Sequence, residues 1–290
     1  MSVGLDWQCI RCHLNRSLDV VRELGDGETH TAFTKELLKL YLSAPESANA
    51  PWLGPATSEL MHRFYGVEID RFRREKEESN RFILERMDEI RERIRSQTDP
   101  VLAGLKFAIL GNYLDFAALR DEVSFEKLDE MLAGALEMEL DGETYRRFRR
   151  ELAEKERLLY LTDNAGEIGF DRLFAEELQR AYPHLQITFC VRGGIAQNDA
   201  TRSDAAEVGI SFPVIDNGTC IAGTQLEQLG EEARAAMNGA DVILSKGQGN
   251  VETLLGCGYN IYYAFLIKCP RFEQRFGKKK LTPMFVKERA

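Results

Sequence analysis

The sequence predicts an α/β protein: a Rossmann-like parallel-sheet core with helices on both faces, preceded by an all-helical N-terminal region. Three observations predict it. Up to about residue 155 the apolar residues recur at helical spacing. From residue 156 to 290, short apolar runs alternate with helical segments. Several of those runs end in acids, amides or glycines, and open α/β sheets place their ligands at the carboxyl ends of strands.

In the N-terminal part, 1–155, Leu14, Leu18 and Val21 are spaced by four and three. Ile83, Met87, Ile90 and Ile94 repeat the pattern within FILERMDEIRERIRSQ. Such spacing gathers apolar groups on one helical face and charges on the other. The dense Arg and Glu form a solvated face with i,i+4 pairing. SAPESANAPWLGPATSEL carries three prolines and reads as a loop. SFEKLDEMLAGALEMEL opens at Ser124, a residue type suited to an N-cap, and DGETYRRFRRELAEKE follows as another helix.

After residue 156, RLLYLTD, QITFCVR, SFPVID, DVILSKG and IYYAFLIK are rich in β-branched and aromatic residues and read as strands. EIGFDRLFAEELQRAY, DATRSDAAEVG and LEQLGEEARAAM read as the helices between them. Strands alternating with helices indicate a parallel sheet.

Bulk properties bound the function. The 290 residues suffice for one large domain or two modest ones, and 44% apolar with 29% charged is an ordinary globular balance. No apolar run approaches the roughly 18 residues of a membrane span, and MSVGLDWQCIRCHL lacks the layout of a signal peptide. The expectation is a soluble cytoplasmic protein without a membrane partner; oligomeric state is left open. A net charge of −9 argues against nonspecific nucleic-acid binding. It does not exclude a small anionic ligand in a locally positive pocket.

The strand ends carry the chemistry. The first ends in Asp163-Asn164, with Glu167 close behind; the second leads to Asn198 and Asp199; the fourth ends in Lys246, Gly247 and, one helical turn on, Asn250. Singly, each has a plain structural reading: Asp199 as a helix cap, Asp163 as a turn residue, Lys246 as an exposed lysine. Together, Asp, Asn and Asp make an oxygen ligand set suited to Mg²⁺ or Mn²⁺. A lysine beside glycine-flanked amides suits a phosphate. Metal plus phosphate site is the equipment of phosphoryl chemistry. The GxxxxGK[ST] and GxGxxG patterns are absent.

TDNAGE, NDATRSDA and SKGQGNVETLLG, in this order, resemble the family catalogued as domain of unknown function 89, the metal-dependent damage-control phosphatases. GNYLDF resembles the family's Gly-Asn-x-x-Asp segment, CIRC the prokaryotic subgroup with an N-terminal cysteine pair, and LIKCPRFEQRFG its closing strand and turn. The resemblance implies hydrolysis of phosphomonoesters of sugars or related small metabolites. It implies Asp163, Asn164 and Asp199 as metal ligands, with Asp163, Glu167 and Lys246 in catalysis. Asn112, Asp115, Glu167, Asn198, Lys246, Gly247 and Asn250 would bind the phosphate and substrate. Mg²⁺, Mn²⁺, Co²⁺ and Ni²⁺ all fit the ligand set. Water is favoured over Asp163 as nucleophile, because a metal-bound carboxylate is a poorer one. Two questions stay open. Cys9 and Cys12, with Cys269 or Cys257, could be packed thiols or half of a redox or zinc site. A nucleotide- or S-adenosylmethionine-binding transferase is the rival reading of the same core.

Overall fold

The computed structural model describes residues 4–288. Seven α-helices precede the first strand: α1 (Trp7–Val21), α2 (Gly27–Ser43), α3 (Gly54–Tyr65), α4 (Arg73–Arg95), α5 (Pro100–Gly111), α6 (Phe125–Ala133) and α7 (Gly142–Glu154). Ser124 caps α6, its Oγ accepting from the Lys127 amide at 3.1 Å. The proline-rich stretch read as a loop is instead part helix. Pro51 opens a 3₁₀ turn (Pro51–Leu53), and Pro55 lies in the first turn of α3. Proline is tolerated there because first-turn amides have no intrahelical partner to lose.

The second half alternates as expected: β1 (Arg157–Leu161), α8 (Glu167–Ala181), β2 (Gln186–Val191), α9 (Arg202–Glu207), β3 (Val214–Asp216), α10 (Glu231–Gly239), β4 (Val242–Lys246), α11 (Gln248–Leu254), β5 (Ile261–Leu266), α12 (Pro270–Phe276) and β6 (Pro283–Lys287). The sheet order is β3-β2-β1-β4-β5-β6. The first five strands are parallel and β6, not foreseen in the sequence, pairs antiparallel with β5. The central strands β1, β4 and β5, and most of β2, bury both faces. Leu158 and Tyr160 of β1 join one apolar cluster with α4 to α8; Leu159 and Leu161 join another with α10, α11 and α12. This two-sided burial is why the runs are continuously apolar.

Residue 155 marks a change of pattern but not a break in the core, since α4 to α7 pack in the same cluster as the sheet. Helices α1, α2 and α3 hold a separate small core around Val21, Phe33, Leu37 and Met61. Among the described residues no helix is long and apolar enough to cross a membrane.

Candidate functional site

A cleft of about 1100 Å³ separates α1 and α3 from the carboxyl ends of the strands. Asp163 and Asp199 lie on its floor. They sit on two loops that follow the adjacent strands β1 and β2, and backbone hydrogen bonds zip those loops together. Ala165 N donates to Asn198 O at 2.9 Å, Ala200 N donates to Asp163 O at 2.7 Å, and Asn164 bridges to Asp199. Asp199 is not a helix cap. Thr201 caps α9, paired reciprocally with Asp204, which leaves Asp199 to the cleft.

Both carboxylates are buried and held by side chains. Asp163 Oδ2 accepts from Asn112 Nδ2 and Asn164 Nδ2, each at 2.9 Å. Arg192, itself buried, donates from Nε to Asp199 Oδ2 at 2.6 Å and from Nη2 to Asp163 Oδ1 at 3.4 Å. Burial, with Asp199 and Glu167 nearby, pushes the Asp163 carboxyl well above its ordinary range. Burial lifts Asp199 to about 6, even against Arg192. Counting charges explains this. The buried cluster holds four carboxylates, Asp163, Glu167, Asp171 and Asp199, against two cations, Arg192 and Lys246. Two negative charges remain without a partner, and a buried charge is costly until it is paired or protonated.

Two glycines make room for this arrangement. Gly166, in the turn after β1, has φ +75°, and a Cβ there would come within 2.6 Å of Ser79 Cβ on α4. Gly247, ending β4, has φ +76°, and a Cβ there would overlap the Asp163 carboxylate. Side chains at either position would be strained and would displace the turn or the acid.

Asp115 and Lys268 form the cleft's second charged pair, with Lys268 Nζ 2.7 Å from Asp115 Oδ2. Lys268 lies two residues past the end of β5, its amide donating to Gln248 Oε1 at 3.0 Å. Asp115 Oδ1 accepts from the Ala118 amide at 2.8 Å, which fixes the turn after α5.

The damage-control phosphatase ARMT1-like domain profile matches residues 6–282 of this chain. The chain belongs to the damage-control phosphatase family. It is 32% identical to an uncharacterized protein of Methanocaldococcus jannaschii, over 95% of this chain and 93% of that one. It is 30% identical to a damage-control phosphatase of Archaeoglobus fulgidus, over 76% and 75% of the two chains. A crystal structure of a DUF89 family protein from Pyrococcus horikoshii superposes with a TM-score of 0.82 at 26% identity, covering 99% of both chains.

Within this family member, several residues expected to touch substrate are instead enclosed. Lys246 is wholly buried, and its ammonium is fully used: it donates to Glu167 Oε1 (2.7 Å), Asp171 Oδ1 (2.6 Å) and Ala108 O (2.8 Å). Glu167 is equally buried, its Oε2 accepting from Asn112 and Asn164. Asn112 spends its amide on Asp163 and Glu167 and its carbonyl on the Leu266 amide. Asn198 is bound to Leu114 O, Asn164 Oδ1 and the Ala117 amide. Asn250 ties Thr162 O and Lys246 O to Arg192 and Thr224. In each of these side chains the polar atoms are hydrogen-bonded within the protein, and none of the five lines the cleft. Of the expected set, Asp115, Asp163 and Asp199 line the cleft.

Sequence reasoning missed Arg192 and Lys268. Each ends a strand segment already quoted, QITFCVR and IYYAFLIK, so the signal of a polar residue at a strand end was present for both. The transferase reading needs a glycine-lined gap after β1. That turn is filled by the interlocked side chains of Asn112, Asp163, Asn164 and Glu167.

Cys9, Cys12 and Cys269 all line the cleft wall, and all are free thiols. Cys9 accepts from Arg271 Nη1 at 2.9 Å, and Cys269 from Gln248 Nε2 at 3.4 Å. Burial pushes the Cys9 thiol up to about 11 and raises Cys269 as well. Among the described residues no group of three or more His, Cys, Asp or Glu is placed to hold a metal, the cysteines included. The set that could hold a divalent ion is two carboxylates and one amide.

Proposed function

We propose that the chain is a divalent-metal-dependent phosphatase that hydrolyses phosphomonoesters of sugars or related small metabolites. The observation that carries this reading is the facing pair Asp163 and Asp199, zipped together on the cleft floor with negative charge left uncompensated. Two carboxylates suit an ion that keeps open positions for water and phosphate oxygens, the habit of Mg²⁺, and the Asn164 amide oxygen, which accepts from Asn198 at 3.0 Å, would join them by giving up that bond. Mg²⁺ or Mn²⁺ (or Co²⁺ or Ni²⁺) held there would neutralise phosphoryl charge and acidify water.

The protein's own groups do the rest. Lys268, which lines the cleft beside Asp115, presents an ammonium to the phosphate. Asp115 holds Lys268 in place and, lining the cleft where Glu167 does not, is the carboxylate that orients the attacking water or a sugar hydroxyl. Asp163 has both oxygens tied by Asn112, Asn164 and Arg192, so it is a poor nucleophile, and water attacks phosphorus. The phosphorus–oxygen bond to the sugar breaks, the leaving oxygen takes up a proton, and inorganic phosphate is released.

The test is phosphate release from a sugar-phosphate panel by chelator-stripped protein, with each metal added back and Asp163→Ala in parallel. Metal-dependent release lost in the variant supports the reading. Release by stripped protein that no metal increases would remove the metal from it.

A further inference from the structure

The cleft that holds the acids is also lined by guanidinium groups. Arg16 on α1, Arg71 in the segment between α3 and α4, and Arg120 after the 115–119 turn all line it. They come from three separate elements, so their convergence is a product of the fold.

Two of the three have no acidic partner. Among the described residues, no carboxylate lies within ion-pairing distance of Arg16 or Arg71. Arg16 donates instead to two backbone carbonyls, Ala117 O at 2.9 Å and Ala118 O at 2.5 Å. Arg71 reaches only Met61 Sδ, at 3.6 Å, and the face of Phe72, 4.8 Å from its centroid. Arg120 pairs with Asp19 at 3.0 Å, but Asp19 is shared with Arg22. Arg120 also holds a φ of +51°, a backbone conformation that a non-glycine residue rarely adopts. Glu75 lines the same cleft without forming an ion pair with the arginines. Burial and the neighbouring Arg120 work against the Arg71 charge, with Glu75 partly opposing them.

Half-buried guanidinium groups, two of the three outside any ion pair, match the planar, forked recognition of carboxylate or phosphate. The acidic floor and these arginines are linked by the short turn that runs from Asp115, on Lys268, to Ala118, on Arg16. Three residues span at most about 11 Å of chain. The two ends of the cleft are therefore a short carbon skeleton apart.

We propose that Arg16, Arg71 and Arg120 form a second anion subsite, so that the substrate is a small phosphate ester carrying another anionic group, carboxylate or phosphate, at the end remote from the bond that is cut. The proposal rests on the proposed function for the position of the first phosphate.

The test is calorimetric binding of three non-hydrolysable probes to Mn²⁺-loaded protein: butylphosphonate, 4-phosphonobutyrate and butane-1,4-bisphosphonate. At least one doubly charged probe binds tenfold or more tighter than butylphosphonate, and which one does so tells carboxylate from phosphate. In Arg71→Gln and Arg16→Gln, melting normally, that ratio falls toward one, while Arg71→Lys keeps part of it. Equal affinity of all three probes in the native protein would overturn the second subsite and leave the phosphatase reading standing. A ratio unchanged in both Gln variants would do the same. Failure of every probe to bind would overturn the phosphate end of the cleft, and the subsite with it.

Discussion

Lys268 Nζ lies 2.7 Å from Asp115 Oδ2 in the cleft, whereas Lys246, the lysine its sequence context favours, is enclosed beneath α8. In the proposed mechanism the cationic contact with a phosphate falls to Lys268, which lines the cleft. Lys268→Ala lowers kcat/KM on a sugar phosphate by about 100-fold, in line with losing one charged group that stabilises the transition state. Lys268→Arg recovers part of the loss. Steady-state kinetics checks both, and an unchanged kcat/KM in Lys268→Ala returns the role to another group.

Lys246 acts on stability. Lys246→Met leaves Glu167 and Asp171 buried without their shared cation, both within 2.7 Å of it in the native protein. Breaking a buried ion network from one side costs about 3–5 kcal/mol. Denaturant unfolding should show that loss; a shift below about 1 kcal/mol would mean that the two acids simply take up protons.

The hydrogen bond from Asn112 Nδ2 to Asp163 Oδ2 predicts a positioning role for Asn112 rather than a contact with the sugar. Asn112→Ala removes one of the two amide donors to Asp163 Oδ2 and one of the donors to Glu167 Oε2, leaving Asn164 on each. It lowers kcat/KM by the same factor, about tenfold, on a sugar phosphate and on p-nitrophenyl phosphate. A loss confined to the sugar phosphate would restore a direct contact.

Stability of chelator-treated protein falls from acid to neutral pH. Burial lifts Asp171 to about 7, with Lys246 only partly opposing it. In the unfolded chain an aspartate titrates near ~3.9. The folded state thus holds this proton more tightly, which stabilises it fully below about 4. The advantage is lost as pH rises through about 7 and does not return above it. Thermal melting should be higher at pH 5 than at pH 8, and Asp171→Asn should flatten the slope. A wild-type slope of the opposite sign would show that other groups dominate.

Much of the architecture was legible in the chain. The switch from helical spacing to alternating strands at residue 155 coincides with the start of β1, and the strands quoted from the sequence are the five parallel ones. The antiparallel β6 was not legible, because PMFVK is short and takes its conformation from pairing with β5. The proline-rich stretch misled because a proline in a first helical turn and a proline in a loop look alike in sequence. Asp163 and Asp199 were legible as a pair, since acids ending apolar strands need a reason to be there.

Which polar residues line the cleft was not legible. Lys246 and Lys268 both close apolar runs, and nothing local separates them. The sequence by itself determined the α/β order, the strand ends that gather at one edge, and the excess of acids among them. Only the tertiary structure decided that Lys246 shares the strand face of Val242 and Leu244, under α5 and α8, while Lys268 stands past the end of β5. It likewise brought Arg16, Arg71 and Arg120 together from three elements. The physical reason is that exposure is set by what packs over a residue, and the covering helices are supplied by parts of the chain up to 138 residues away, as in the bond from Lys246 to Ala108 O.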